Sequence, residues 1–213
     1  MEIGAFEHPA CLPENCEVVY CDVISNEEAK AFFPEVNHTS LVSVDQIIDL
    51  DHEGLKIFED SSQDFVIINH VIEHLFDPIS AIVECFRVLR PNGFLILSVP
   101  DKRFTFDCNR PLTSNQDIFE RVKRIPKEPN PVDYFDMLQF VHPELLDESA
   151  EVKEDALKGF HRRREHLNIW TDQSFLSFID EVLHQKKIKS ILTNKVLSNE
   201  NQFEFFGIWK KLL

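Results

Sequence analysis

A chain of 213 residues with 43% hydrophobic and 28% charged residues carries enough apolar material for one full core, which sets aside disordered and fibrous classes. Its net charge of −15 argues against a nucleic-acid partner, which would need a basic face; His161-Arg162-Arg163-Arg164 is the one basic cluster. No apolar run approaches the ~18–20 residues of a membrane span and no signal sequence precedes Glu2, so a cytoplasmic protein with free thiols is expected, its five cysteines lacking any CxxC pair.

In chain order, Glu2-Ile3-Gly4 reads as the end of a first strand and the turn after it, with Met1 leaving little of that strand's body. The turn has a single glycine, Gly4, followed by Ala5, Phe6, Glu7, His8 and Pro9, where nucleotide-binding loops usually carry two or three. Val18 to Asp22 reads as a second strand ending in a carboxylate, which suits either a ribose or a solvated turn. Asn26 to Phe33 is a short helix stopped at Pro34. Leu41-Val42-Ser43-Val44 reads as a third strand with Asp45 at its exit.

Phe65-Val66-Ile67-Ile68 is a short β-branched apolar run, the pattern of a strand buried on both faces, with Asn69-His70 as its polar exit. Ile79, Ile82, Val83, Phe86 and Leu89 recur at helical spacing up to a stop at Pro91-Asn92-Gly93. Phe94 to Val99 is a second buried strand, ending at Pro100-Asp101. Strand, crossover helix and strand make a parallel, right-handed βαβ unit.

Asp101, Lys102, Arg103, Asp107 and Arg110 then crowd a loop that either faces a substrate or pairs with itself. Asp117 to Arg124 reads as a helix, and prolines at 126, 129 and 131 break regularity. Residues 132–165 carry a charge-rich helical pattern, either an insertion over a crevice or a plain packing element. Thr171 is placed to cap a helix whose apolar face is Phe175, Phe178, Ile179, Val182 and Leu183. Ile188 to Leu192 and Phe203 to Trp209 read as two closing strands.

The stretch from Gln63 to Asp101 resembles the second half of a class I S-adenosylmethionine-dependent methyltransferase domain. An acidic-aromatic pair (Asp64-Phe65), Val71-Ile72-Glu73-His74 and Arg87-Val88-Leu89-Arg90-Pro91-Asn92-Gly93 stand where that family has its corresponding phrases. Glu2-Ile3-Gly4-Ala5 and Pro100-Asp101-Lys102-Arg103-Phe104-Thr105-Phe106-Asp107 are similar to a bacterial, type 11-like subgroup of the family. That subgroup also uses a single-glycine loop, and its "HxHxWT" phrase is matched by His166 and Trp170 but not by Asn168.

The resemblance implies an α/β, Rossmann-like, doubly wound and mostly parallel sheet with an antiparallel last strand; this chain's own residues add a helical insertion and a truncated first strand, the latter not a trait of the subgroup. It implies one domain over 1–213: a cofactor-binding core at 1–125, an insertion at 126–165, and a closing helix and strand pair at 166–213. Glu2, Gly4, Asp22, Asp45 and Asn69 would hold S-adenosyl-L-methionine, with His70 and Asp101 nearest the acceptor. Asp49 and Asp51 are rivals to Asp45. His70 reads as a general base or as a positioning histidine. The acceptor would be a small molecule or saccharide, because members of the subgroup often accompany glycosyltransferases; a homodimer is possible at an exposed sheet edge. The alternative is a degenerate methyltransferase-like domain without cofactor binding, acting as an interaction or scaffold protein.

His70-Val71-Ile72-Glu73-His74 also matches HxxEH, an inverted zinc-protease motif. That chemistry needs both histidines on one helix and a third ligand. Here the first histidine follows a strand and no distant ligand is signalled, so the overlap reads as accidental, Glu73 and His74 are placed at the start of the next helix, and no metal site is expected.

Overall fold

The computed structural model describes residues 1–34 and 40–213. Seven strands form one sheet in the order β3-β2-β1-β4-β5-β7-β6. They are β1 (Glu2–Ile3), β2 (Tyr20–Asp22), β3 (Gln46–Ile47), β4 (Gln63–Asn69), β5 (Leu89–Pro100), β6 (Ser190–Val196) and β7 (Glu204–Lys211). The first five strands are parallel, whereas β7 runs antiparallel to both β5 and β6. The expected α/β architecture is therefore present, with its short first strand. Order reverses between β1 and β4, the switch point where open α/β sheets leave a crevice at their carboxyl ends.

Seven helices accompany the strands among the described residues: α1 (Asn26–Phe32), α2 (Pro78–Val88), α3 (Asn115–Arg121), α4 (Phe135–Phe140), α5 (Ala150–Arg163), α6 (Asp172–Gln185) and α7 (Ser198–Asn201). Three of them show their start signals plainly in the sequence. In α1, Ser25 and Glu28 form a capping box, and in α2 Asp77 accepts from Ser80 N with Pro78 in the first turn. In α6, Thr171 caps the helix, as its spacing predicts. The inward faces of α2 and α6 meet the strands in one core containing Ile68, Phe86, Leu97, Trp170, Phe178, Phe205 and Trp209. A second small core of Phe76, Tyr134 and Leu167, with Leu157 and Phe160 against it, ties the 126–165 segment down. None of these helices is long and apolar enough to cross a membrane.

Three elements differ from the sequence expectation. Leu41 to Val44 is not a strand, because its polar backbone is taken elsewhere. Val42 N donates to the Phe6 carbonyl, and Asn26 brackets the segment by donating to the Val42 carbonyl and accepting from Val44 N. The third strand is Gln46–Ile47 instead. At Pro91-Asn92-Gly93 the helix has already ended, and these residues form an irregularity inside β5, with Asn92 at φ +68°. Glu73 and His74 lie in a one-turn 3-10 segment, Ile72–His74, ahead of α2 rather than within a helix.

Candidate active site at the switch point

At the carboxyl end of β1, Gly4 adopts φ +70°, and a Cβ built there would lie 2.4 Å from Val71 Cγ2. Only glycine satisfies both the left-handed backbone and the close approach of the turn after β4. Glu2 is buried; its Oε1 accepts from Ala10 N at 2.9 Å, bracing the loop that follows, while Oε2 has no partner. Burial pushes the Glu2 carboxyl up, against the Ala10 hydrogen bond. Across the switch point, Asn69 ends β4 with its Oδ1 buried and unpartnered. Asp22 ends β2; its Oδ1 accepts from Val23 N and Ile24 N at 2.7 and 3.3 Å, and burial raises its carboxyl.

The strand register sets these four residues side by side, with two buried acceptors, Glu2 Oε2 and Asn69 Oδ1, left unpartnered on adjacent strands. The room is narrow. Between Phe6, Asp22, Ile24, Asn26, Val42 and Val44 the cavity measures about 10 Å³, space for roughly one water. Phe6 stands at φ +49°, a left-handed conformation that glycine adopts without strain, and packs edge-on against Phe33 at 5.5 Å.

Asp45 is not part of this crevice. Its carboxylate accepts from Tyr20 N at 2.9 Å, at the amino end of β2, because β3 begins later than expected. Beyond β3, Asp49 is bound by Arg164 Nη2 at 2.5 Å, and Asp51 accepts from Phe76 N and Asp77 N at 3.0 and 2.8 Å. Both rivals are thus engaged in fastening loops.

Asp101 is held from several sides. It is buried, and its oxygens accept from Arg103 N, Nε and Nη2, from Asp172 N and from Ser198 Oγ, all at 2.7–2.9 Å. Burial pushes the carboxyl up, but the Arg103 guanidinium and the amides outweigh it and hold Asp101 down at about 2. With every lone pair taken, Asp101 joins the end of β5 to the starts of α6 and α7 and has nothing left for an acceptor.

His70, at φ +52°, follows the carboxyl end of β4 with its ring turned toward β7. Its Nε2 lies 2.5 Å from Glu204 Oε2 on β7, and its ring stacks on Phe203 at 5.1 Å. Burial lowers the imidazole, yet Glu204 and Glu73 together lift it to about 10, so it stands as an imidazolium at neutral pH. It presents a proton where a free base was an open reading. Glu204 escaped the sequence argument, since nothing marks the first residue of an antiparallel strand as a neighbour of His70. Beneath His70 lie Glu73, His74 and His166. Burial raises the Glu73 carboxyl, and the three histidines around it bring it below the usual range.

A mostly parallel sheet with this strand order, its glycine turn set between the acidic end of β2 and the switch point, is Rossmann-like. Residues 4–97, a little under half of the chain, match the family described as "Methyltransferase domain". A Mycolicibacterium smegmatis protein named "Probable S-adenosylmethionine-dependent methyltransferase" is 49% identical over 51 residues, which are 24% of this chain and 20% of that protein. The chain thus spans a fifth of the length of that curated relative. Among solved structures, a CurJ carbon methyltransferase is 12% identical with a TM-score of 0.50, over 100% of this chain and 48% of that one. A Rhodobacter sphaeroides structure described as a zinc-dependent alcohol dehydrogenase is 14% identical with a TM-score of 0.54, over 92% and 76% of the two chains. These two likenesses concern the fold alone.

Proposed function

We propose that this chain is an S-adenosylmethionine-dependent methyltransferase acting on a small, hydroxyl-bearing or sugar-like acceptor. The observation that carries the reading is the coincidence of the family match over residues 4–97 with the obligatory Gly4 turn and the unpartnered Glu2 Oε2 and Asn69 Oδ1. When bound, S-adenosylmethionine supplies an electrophilic methyl group on a sulfonium.

The chain's own residues would act as follows. Asp22 is placed for ribose hydroxyls, Gly4 lets the backbone approach the ligand, and Asn69 offers an acceptor at the switch point. His70, charged by Glu204, would donate a hydrogen bond to an acceptor oxygen and hold it in line. Positioning of this kind supplies much of the rate in such transfers. Asp101 is a positioning residue that fixes the loop after β5. The wall beside His70 is polar and ionisable (Glu73, His74, Asp107, His166), which supports a hydroxylated acceptor over an apolar one.

Calorimetric titration with S-adenosylmethionine, and separately with S-adenosylhomocysteine, tests the reading. Binding in the micromolar range, about −8 kcal/mol, that is weakened in Asp22→Ala supports it. No heat and no thermal shift at millimolar ligand overturns it and returns the scaffold alternative.

A further inference from the structure

Glu73, His74 and His166 bring one ligand atom each to within 4.8 Å of one another. Glu73 is fully buried and neither of its oxygens has a hydrogen-bond partner; its nearest cationic neighbour is His70 Nδ1 at 3.5 Å. His74 Nδ1 donates to the Arg164 carbonyl at 2.5 Å, which leaves the lone pair on Nε2. That lone pair faces Glu73 Oε1 at 3.8 Å. Two electron-pair donors confronted in a buried place call for a cation between them.

His166 completes the set. Its Nδ1 lies 2.6 Å from Asp107 Oδ2, which makes Nε2 its basic nitrogen, and Arg110 Nη2 donates to its backbone carbonyl. Histidines that bind metals characteristically give their other ring N–H to a carboxylate or a carbonyl, and here each of the two does so. Asn168 secures the other half of the site, donating to the carbonyls of Ile72 and Leu75 on either side of Glu73 and His74.

We propose that Glu73, His74 and His166 bind one divalent transition-metal ion beside His70. Two imidazoles and a carboxylate suit zinc and its first-row neighbours, and leave a coordination position for water or an acceptor oxygen. Ligands on a tetrahedral zinc at ~2.0–2.1 Å lie roughly 3.3–3.4 Å apart, so from 4.8 Å the set closes by about 1.5 Å at its widest on binding. The distant ligand that the HxxEH reading lacked arrives from the segment after α5. Metal binding is read without cofactor or acceptor, so this inference and the methyl-transfer reading fail separately.

The test is calorimetric titration of the chelator-treated full chain with zinc chloride, its exposed thiols alkylated beforehand. One equivalent is expected to bind. Glu73→Gln and His166→Ala, checked for folding by circular dichroism, should weaken binding by more than the roughly 10–100-fold expected for Asp107→Asn. No stoichiometric binding by the wild-type chain overturns the proposal, as does undiminished affinity in the folded variants. Should the variants not fold, anomalous diffraction at the zinc edge from wild-type crystals decides: a peak between the three residues supports the site, and a peak elsewhere or none overturns it.

Discussion

His70 Nε2 lies 2.5 Å from Glu204 Oε2, joining the exit of β4 to the entry of β7 by an ion pair between residues 134 apart in sequence. Glu204→Gln leaves the imidazolium with the more distant Glu73. We expect a loss of about 1–2 kcal/mol in denaturant unfolding, with the far-ultraviolet spectrum unchanged. If the pair also holds the acceptor, methyl transfer should fall about 10²-fold while S-adenosylmethionine binding stays within a few-fold of wild type.

Gly4→Ala is expected to cost about 2–4 kcal/mol, from the left-handed backbone and from the clash with Val71 Cγ2 at 2.4 Å. The double variant with Val71→Ala should recover the clash and keep the conformational cost. Strictly additive losses in that cycle would show that the close approach is relieved some other way.

Phe6→Gly removes the ring from the edge of the 10 Å³ cavity and places a residue at φ +49° that tolerates it. Calorimetry should find S-adenosylmethionine bound several-fold more tightly than by wild type. Equal or weaker binding would mean that the Phe6 ring is itself part of the binding surface.

Acid stability reports on Asp101. Its carboxyl, held at about 2, lies below the ordinary value of 3.8, so its stabilising effect is complete above about pH 4 and is lost as pH falls toward 2. This amounts to ~2 kcal/mol over that window. Asp101→Asn should be less stable at pH 7 and should show a flatter decline between pH 4 and 2 in urea titrations. Parallel declines in the two proteins would assign the acid sensitivity to other carboxylates.

Thiol labelling separates the cysteines. Cys11 and Cys108 are exposed, whereas burial pushes the Cys21 thiol to about 11 and the Cys85 thiol to about 12. Native alkylation at pH 8, read by mass spectrometry, should modify Cys11 and Cys108 and spare Cys21 and Cys85 until the protein unfolds.

Much of the fold could be read from the chain because its signals are local. The βαβ unit from β4 to β5 is written in a β-branched run, a helical apolar face and a buried strand, and Thr171 marks the start of α6 by its hydroxyl alone. Gly4 and Asp22 were legible because a strand followed by a turn fixes where its last residue points. The third strand was not legible, because Asn26 diverts Leu41 to Val44 from the sheet by two side-chain hydrogen bonds, which no periodicity reveals, and Asp45 then stands before β3 and not after it. Asp101 looked like a substrate ligand because its loop is charged; that Arg103, Asp172 and Ser198 saturate it depends on where α6 and α7 begin. His166 carried only a phrase, and its neighbours Glu73 and His74 come from the other side of the sheet's crossover.

β1, which leads into Gly4, and β2, which ends at Asp22, are two and three residues long, while β4, β5, β7 and β6 pair over much longer registers. Amide exchange should therefore be graded across the sheet, fast at the β1–β3 edge and slow in the four-strand block. A ligand seated on the Gly4 turn would gain protection for that edge at the expense of its own affinity. Occupancy of the crevice and order in its thin half are then one equilibrium.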